Sequence, residues 1–157
     1  MDLVLFQPDI PQNAGTMLRL CACLGLGAGI VGPAGFPVSD RHFRRAGLDY
    51  LDSLDLRLHP SFEAFEAWRD PGLRRLILLT TSGETDYLDF EFRPDDVLMV
   101  GRESAGAPPW LHQKADARLR ISMRPGMRSI NVAVAAAMVV GEALRQVRRP
   151  SPTAAEE

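Results

Sequence analysis

Short runs of consecutive apolar residues alternate along the chain with longer segments whose apolar positions recur every three or four residues. The first pattern is typical of strands buried on both faces, and the second is typical of amphipathic helices. The predicted strands cover residues 2–6, 28–31, 55–59, 75–81, 97–100 and 118–121. The predicted helices cover residues 16–24, 41–46, 62–70, 108–112 and 129–147. Because the two kinds of element alternate, the sequence predicts an α/β fold with a mostly parallel sheet and helices on both faces.

Turn and capping residues predict where several of these elements begin and end. Pro11 to Gly15 forms a predicted turn in which Asn13 caps the first helix, and Gly25 ends that helix. Residues 39–40, Ser-Asp, are predicted to cap the short basic helix, and residues 71–72, Pro-Gly, to stop the helix before them. The acidic segment between the fourth and fifth predicted strands carries no predicted element.

The last predicted helix is apolar all the way round. No side chain from Val132 to Val140 is polar, and the first charge after that run is Glu142. A helix of this kind must be buried on most sides, and one sheet in a chain of 157 residues cannot cover it completely. The helix therefore predicts that a second copy of the chain packs against it in a homodimer.

The composition is that of one globular domain. Hydrophobic residues make up 46% of the chain and charged residues 24%, so residues 1–149 are predicted to form a single core and residues 150–157 a disordered tail. No apolar run approaches the roughly 20 residues of a membrane-spanning helix. The N-terminus also lacks the basic region of a signal peptide. These features predict a cytoplasmic protein that does not enter a membrane.

The net charge of −2 argues against a strongly basic protein that binds nucleic acid unaided. Of the 18 basic residues, all but Lys114 are arginines. Two explanations stay open: genomic codon bias, or the planar and bidentate contacts that Arg makes with phosphate. Local clusters could form a basic groove on an acidic body, and dimerisation would double it. The clusters are Arg41, Arg44 and Arg45; Arg118, Arg120, Arg124 and Arg128; and Arg145, Arg148 and Arg149.

The cysteines and histidines show no metal-ligand spacing. Cys21 and Cys23 lie two positions apart in a predicted helix and so point to different faces, which argues against a disulfide or a shared metal between them. They are predicted to be small, buried or half-buried residues. His42, His59 and His112 are isolated from one another in the sequence. We therefore predict no metal site.

Three short motifs are spread over the whole chain. They read Pro-Gln-Asn-Ala-Gly-Thr-Met-Leu-Arg over residues 11–19, Leu-Met-Val-Gly-Arg-Glu-Ser-Ala-Gly over 98–106, and Ile-Ser-Met-Arg-Pro-Gly-Met-Arg-Ser-Ile-Asn-Val-Ala over 121–133. The loops of the second and third motifs directly follow predicted strands, and residues 80–83 span the end of a third predicted strand. Ligands of open parallel sheets bind beyond the carboxyl ends of the strands, so these loops predict a pocket for a nucleotide-like ligand. Its predicted polar side chains are Asn13, Arg19, Glu103, Ser129 and Asn131.

The sequence motifs of other common nucleotide-binding and catalytic sites are not found in the chain. Residues 25–27, Gly-Leu-Gly, end a helix and do not join a strand to one, so they are not a Rossmann nucleotide site. The chain has no Walker A sequence, and no Ser-His-Asp set or glycosidase-like carboxylate pair stands out.

The three motifs, in this order and at these separations, resemble the SpoU branch of the SPOUT superfamily of RNA methyltransferases. The resemblance covers residues 2–147. It implies an α/β fold with a C-terminal trefoil knot, S-adenosylmethionine as cofactor, tRNA as partner and a homodimer. Residues 10–13, 44–50 (Arg-Arg-Ala-Gly-Leu-Asp-Tyr) and 79–81 look like the minimal SpoU enzymes that methylate the 2'-hydroxyl of the wobble nucleotide of tRNA, cytidine or uridine.

The resemblance also implies the residues of the site. The alternative is that Leu79 and Ile121 are ordinary core residues at strand ends and Gly101 an ordinary turn glycine, but the three motifs together favour the site. The cofactor-binding residues implied are Leu79, Thr80, Gly101, Glu103, Ile121, Met123 and Ser129. Arginines implied to contact RNA are Arg41, Arg44, Arg45, Arg124 and Arg128.

Arg19 corresponds to the family's catalytic arginine, often assigned as the general base for the 2'-hydroxyl. A guanidinium is essentially always protonated, so we favour a role in orienting the ribose or its phosphate and stabilising the developing alkoxide. The alternative is that Arg19 is an ordinary arginine on the surface of the helix, without a catalytic role. Glu103 is expected to fix Arg19 or a loop backbone. Asn13 and Asn131 either hold the catalytic loops or simply cap helices, and Ser129 completes the implied catalytic set.

The third motif departs from the family pattern at two positions, and the helix after it departs at one more. Ser122 stands where Pro is usual, Ala133 replaces a common polar residue, and Gly141 stands where the wobble enzymes often have Tyr. These departures bear on the RNA substrate more than on the cofactor. Two alternatives therefore stay open: a SpoU enzyme that acts on ribosomal RNA or another tRNA position, and a non-catalytic knotted module that binds RNA.

Overall fold

Seven parallel strands form one sheet in the computed structural model, which describes residues 1–37, 41–47, 49–70 and 73–148. The strands are β1 (Asp2–Phe6), β2 (Gly27–Val31), β3 (Leu56–His59), β4 (Leu76–Leu79), β5 (Thr85–Asp86), β6 (Val97–Val100) and β7 (Ala117–Arg120). The helices are α1 (Pro11–Leu24), α2 (Arg41–Gly47), α3 (Tyr50–Ser53), α4 (Phe62–Arg69), α5 (Pro109–Lys114) and α6 (Val132–Val147), with a 3-10 helix at Tyr87–Asp89. The order across the sheet is β3-β2-β1-β6-β4-β7-β5. The predicted α/β class and parallel sheet are confirmed.

Helices cover both faces of the sheet, as predicted. Alternate residues of β1 point to opposite faces because the side-chain period of a strand is two. Leu3 and Leu5 belong to the core beneath α1 and α6, whereas Val4 and Phe6 belong to the core beneath α4 and α5. The first core contains 20 buried residues and the second 10 among those described, so the long α1 and α6 cover the larger part of the buried surface.

The strand order brings four carboxyl ends together. β1, β6, β4 and β7 are neighbours in the sheet, and each pair is parallel. The loops that follow these strands therefore leave from one edge of the sheet. This edge positions the candidate site.

Several predicted boundaries were wrong. α1 begins at Pro11 and not at Thr16, because a proline is well suited to the first helical position, where its missing N–H is not needed. Asn13 consequently lies inside the first turn and does not cap the helix. α6 begins at Val132 and not at Ser129. The acidic segment predicted to carry no element contains β5 and the 3-10 helix, and α3 was also missed.

Some predictions fall outside the described residues. These are the capping role of Ser39 and Asp40, the stop at Pro71-Gly72, the cluster member Arg149 and the tail at 150–157. α4 ends at Arg69, where Asp70 takes a positive φ of 57° and its N–H donates to the carbonyl of Glu66. The predicted end of α1 is confirmed, since Gly25 takes a φ of 72° there.

One face of α6 is left exposed in the single chain. Ala136, Val139 and Val140 are buried against the sheet, whereas Val134 and Met138 are 52% and 39% exposed. Among the residues that the structure describes, no helix is long and apolar enough to cross a membrane.

The two cysteines have different surroundings. Cys21 is buried, which raises the pKa of its thiol to about 12, and Cys23 is exposed. Both are free thiols. The prediction that both are buried or half-buried is wrong for Cys23, because residues two positions apart on α1 lie on different faces of the helix.

Candidate functional site

A cleft of about 590 Å³ opens at the carboxyl ends of β4, β6 and β7. The loops that follow these strands form its walls, together with the first turns of α1 and α6. The cleft lies at the edge of the sheet where the sequence predicted a ligand pocket. Every residue predicted to bind the cofactor lines it, namely Leu79, Thr80, Gly101, Glu103, Ile121, Met123 and Ser129.

The loop after β6 is folded tightly on itself. The backbone N–H of Gly106 donates to the carbonyl of Arg102 at 2.8 Å, and the N–H of Arg102 donates back at 3.2 Å. A Cβ at Gly101 would lie 2.6 Å from the backbone nitrogen of Ala107, too close for any side chain. Gly106 takes a φ of 65°, which favours glycine. The glycines of the second motif therefore shape this wall of the cleft.

The loops after β4 and β7 are joined to each other. The N–H of Thr80 donates to the carbonyl of Leu119 at 2.9 Å, and the guanidinium of Arg120 donates to the carbonyl of Gly83 at 2.9 Å. A Cβ at Gly83 would lie 2.4 Å from the carbonyl carbon of Leu119, so only glycine permits this approach. These contacts hold together the two segments that carry Leu79 and Ile121, which both line the cleft.

Asn131 joins the third motif to the first. Its Oδ1 accepts hydrogen bonds from the N–H groups of Ala133 at 2.8 Å and Val134 at 3.3 Å, so it caps α6. Its Nδ2 donates to Oδ1 of Asn13 at 3.0 Å. Asn131 therefore caps α6 and also contacts the first motif, whereas Asn13 accepts that hydrogen bond and caps no helix. Both side chains line the cleft.

Glu103 contacts the loop between β1 and α1. The backbone N–H of Asp9 donates to its Oε2 at 2.9 Å, so the expectation that Glu103 holds a loop backbone is confirmed. The alternative partner, Arg19, is elsewhere. Burial, and a hydrogen bond with Asp9, raise the pKa of the Glu103 carboxyl. The bond with Glu103 and one from Ser104 hold the pKa of Asp9 below its ordinary value.

Arg19 does not line the cleft. It is exposed on α1, with its guanidinium carbon 4.8 Å from the centre of the Tyr50 ring. This stacking geometry is a cation–π contact. Tyr50 is the last residue of the Arg-Arg-Ala-Gly-Leu-Asp-Tyr run, and α3 places it beside α1.

The arginines predicted to contact RNA are exposed in two separate places. One group lies on α2 and the other in the loop after β7, where Arg128 also lines the cleft. The members are Arg41, Arg44 and Arg45 on α2, and Arg124 and Arg128 in the loop. Within the described ranges, no group of three or more His, Cys, Asp or Glu residues is arranged to hold a metal ion.

Sequence reasoning missed Asp9, Tyr50 and Arg102. Asp9 stands two residues before the first motif and gave no signal of its own. Arg102 belongs to the second motif, in which only Gly101 and Glu103 were predicted to take part in the site. It lines the cleft beside Glu103. Tyr50 ended a run that was used only to compare the chain with a family.

Comparison with known proteins agrees with this geometry. The SpoU rRNA Methylase family matches residues 1–141. A tRNA (cytidine(34)-2'-O)-methyltransferase from Beijerinckia indica subsp. indica is 68% identical over 145 residues, which covers 92% of this chain and 91% of that protein. A protein of the same name from Ancylobacter novellus is 58% identical over 144 residues, with coverage of 92% and 91%.

Solved structures share the fold. One that concerns the 2-OH methylation of C/U34 on tRNA superposes with a TM-score of 0.88 at 41% identity and covers 92% of this chain and 94% of its own. The SpoU methyltransferase AviRb from Streptomyces viridochromogenes, in complex with the cofactor AdoMet, gives a TM-score of 0.82 at 30% identity, with coverage of 93% and 57%. The family match spans all three motifs and the loops that build the cleft, and the chain belongs to the SpoU rRNA methylase family.

Proposed function

We propose that this chain is an S-adenosylmethionine-dependent tRNA methyltransferase that acts on the ribose 2'-hydroxyl of the wobble nucleotide, cytidine or uridine. The observation that carries the proposal is the cleft, whose walls are the loops of the second and third motifs. Relatives up to 68% identical over 92% of the chain are named as enzymes of this activity.

The cleft suits the cofactor in size and chemistry. A volume of about 590 Å³ lies within the range of about 300–1,000 Å³ that is usual for small-molecule sites. Its lining is apolar around Leu79, Val100 and Ile121, which fits a purine ring, and polar around Glu103 and Ser129. When bound, S-adenosylmethionine supplies a methyl group on a sulfonium sulfur.

We assign the cofactor-binding role to the seven residues that line the cleft as predicted. Leu79 ends β4, Ile121 directly follows β7, and both line the cleft. The glycine at 101 lets the chain approach a ligand closely. Glu103 and Ser129 supply polar side chains. Asn13 and Asn131 hold the first turns of α1 and α6 in place through their mutual hydrogen bond.

In this proposal Arg19 contacts the RNA substrate and not the cofactor. It is exposed, stacked on Tyr50 and outside the cleft lining, so it is available to a sugar or phosphate of a docked RNA. It orients the ribose and stabilises the developing alkoxide, because a guanidinium that stays protonated cannot act as a base. The arginines of α2, together with Arg124 and Arg128, extend the phosphate-binding surface.

The proposed enzyme is a homodimer with a C-terminal trefoil knot and works in the cytoplasm, where its substrate is. The exposed stripe of α6 at Val134, Ala137 and Met138 supports the dimer. β7 lies between β4 and β5, two strands that precede it in the chain, which supports the knot. Light scattering of the purified protein tests the dimer: twice the chain mass is expected, and a monomer at all concentrations contradicts it.

Incubation of the purified protein with labelled S-adenosylmethionine and unmodified total tRNA tests the activity. We expect one 2'-O-methyl nucleotide, mapped to the wobble position of a subset of tRNAs. A tRNA with a 2'-deoxynucleotide at that position is the matched control and should accept no label. Methylation of ribosomal RNA or of another tRNA position would overturn the substrate assignment, and no cofactor binding would favour a non-catalytic module.

A further inference from the structure

Beside the cleft, the backbone N–H of Asp9 donates to the carboxyl group of Glu103, and one oxygen of each of the two carboxyl groups is buried without a hydrogen-bond partner. Asp9 itself is not among the cleft-lining residues. We propose that these two side chains share one proton, which fastens the β1–α1 loop to the loop after β6. Asp9 is then a positioning residue that acts through Glu103 and does not touch the cofactor. The inference rests on the proposed function only where it assigns cofactor binding to the loop after β6.

The hydrogen bonds around the pair leave two oxygens that face no other donor. The N–H of Asp9 donates to Oε2 of Glu103 at 2.9 Å, and the hydroxyl of Ser104 donates to Oδ2 of Asp9. Oδ1 of Asp9 and Oε1 of Glu103 are both buried without a partner. Ionised carboxylates only accept hydrogen bonds. A proton held between the two groups turns one of them into a donor to the other.

The surroundings decide which side chain holds the proton. Burial and the neighbouring Asp9 raise the pKa of Glu103, whereas the bonds from Glu103 and Ser104 and the charge of Arg102 lower the pKa of Asp9. Among the described residues, Arg102 is the charged group that faces the pair, with its Nε 3.8 Å from Oδ2 of Asp9. The proton therefore resides on Glu103, which donates to an ionised Asp9.

This arrangement ties the geometry of the cleft to pH. The raised pKa of Glu103 means that the stabilisation is complete below the ordinary pKa of a Glu and is lost as the pH rises through the raised pKa. Two adjacent carboxylates then repel each other in a partly buried place. The loop after β6 loses its tether to the β1–α1 loop, and with it the alignment of Gly101 and Glu103 in the cleft wall.

A carbon-13 NMR titration of the side-chain carboxyl groups, in the protein without cofactor, tests the shared proton directly. In the wild type the Glu103 carbon should titrate above the ordinary range of a Glu. In Asp9→Asn it should titrate at or below that range, because the amide donates to an ionised Glu103. Asp95→Asn, an exposed residue at the amino end of β6, is the matched control and should change nothing. An ordinary titration of Glu103 in the wild type would overturn the proposal.

Calorimetry with S-adenosylmethionine from mildly acidic to mildly alkaline pH tests the consequence. The wild-type affinity should fall several-fold with rising pH. Glu103→Gln should remove that dependence, since its amide donates to Asp9 at every pH, and Glu91→Gln is the exposed control. A wild-type slope that persists in Glu103→Gln contradicts the tether. If no variant binds the cofactor at any pH, the proposed function fails, while the NMR titration still decides whether the proton is shared.

Discussion

At the amino end of the sheet each buried carboxylate faces a guanidinium, whereas at the carboxyl end two neighbouring carboxyl groups each keep a buried oxygen without a hydrogen-bond partner. Asp96 is fully buried before β6, and Arg75 binds it through two hydrogen bonds of 2.8 Å each. Asp2, at the start of β1, is 8% exposed and pairs with Arg57 and Arg74. The charges at this end are neutralised within the fold.

The carboxyl end uses the same residue types differently. Three of the four buried polar side-chain atoms without a partner, among the residues that the structure describes, belong to Asp9, Arg102 and Glu103. Buried polar groups are normally hydrogen-bonded, so this cluster depends on the proton proposed above for a hydrogen bond that the carboxylates at the amino end receive from arginines. Acid–guanidinium pairing at one end stabilises the fold, and incomplete pairing at the other leaves groups that can respond to a ligand or to pH.

The largest expected effect tests the amino end. Arg75→Met removes the guanidinium and leaves Asp96 as an uncompensated buried charge, which costs about 3–5 kcal/mol of unfolding free energy. Urea denaturation measures the loss. Arg145→Met is the control, because Arg145 forms a surface pair with Glu142 and is half-exposed; it should change stability far less. Equal losses in the two variants would contradict the contrast between the ends.

The next effect tests the carboxyl end. Gly101→Ala places a Cβ 2.6 Å from the backbone nitrogen of Ala107, and this overpacking costs about 2 kcal/mol. Cofactor affinity, measured by calorimetry, should fall together with stability because the distorted loop is a wall of the cleft. Gly141→Ala is the control, since nothing lies within 4 Å of its added Cβ. Unchanged affinity in Gly101→Ala would show that this loop does not hold the cofactor.

Arg19→Lys tests a residue that belongs to neither end of the sheet, and it should affect turnover alone. Lysine keeps the charge but loses the planar guanidinium that stacks on Tyr50 and donates bidentately. We expect a turnover at least about tenfold lower, or about 1.4 kcal/mol in the barrier, with unchanged cofactor affinity. Single-turnover methylation of tRNA measures it. Undiminished turnover would rule out a catalytic role for Arg19.

The smallest effect concerns the cap of α6. Asn131→Ala removes a side chain that accepts from two backbone N–H groups, which costs about 1 kcal/mol. Ser61→Ala removes the corresponding cap of α4 and should cost a similar amount in thermal unfolding. Only Asn131→Ala should also weaken cofactor binding, because Asn131 lines the cleft and holds Asn13. Equal cofactor affinity in the two variants would show that Asn131 acts only as the N-cap of α6.

The buried strands were the most predictable part of the fold. The apolar runs at 2–6 and 97–100 match β1 and β6 residue for residue, because central strands of a parallel sheet are buried on both faces and need no alternation. The start of α1 was wrong because Pro11 was interpreted as a turn residue. β5 has only two residues, and its pairing with β7 depends on a neighbour that is distant in sequence.

The cleft lining was predictable because loops after parallel strands must meet at one edge. Which of those strands lie side by side, and hence which loops touch, depends on the strand order. The contact of Asp9 with Glu103 joins residues 94 positions apart, and neither side chain signals it. The stacking of Arg19 on Tyr50 likewise depends on how α3 packs beside α1.

The hydrogen bond between Asn13 and Asn131 spans 118 positions of the chain, and this has a consequence for biosynthesis. During translation the first turn of α1 emerges long before its partner exists. The cleft cannot be assembled until the start of α6 has been added. A nascent chain that ends before that point therefore holds β1 and the first motif without the wall that α6 supplies to the cleft.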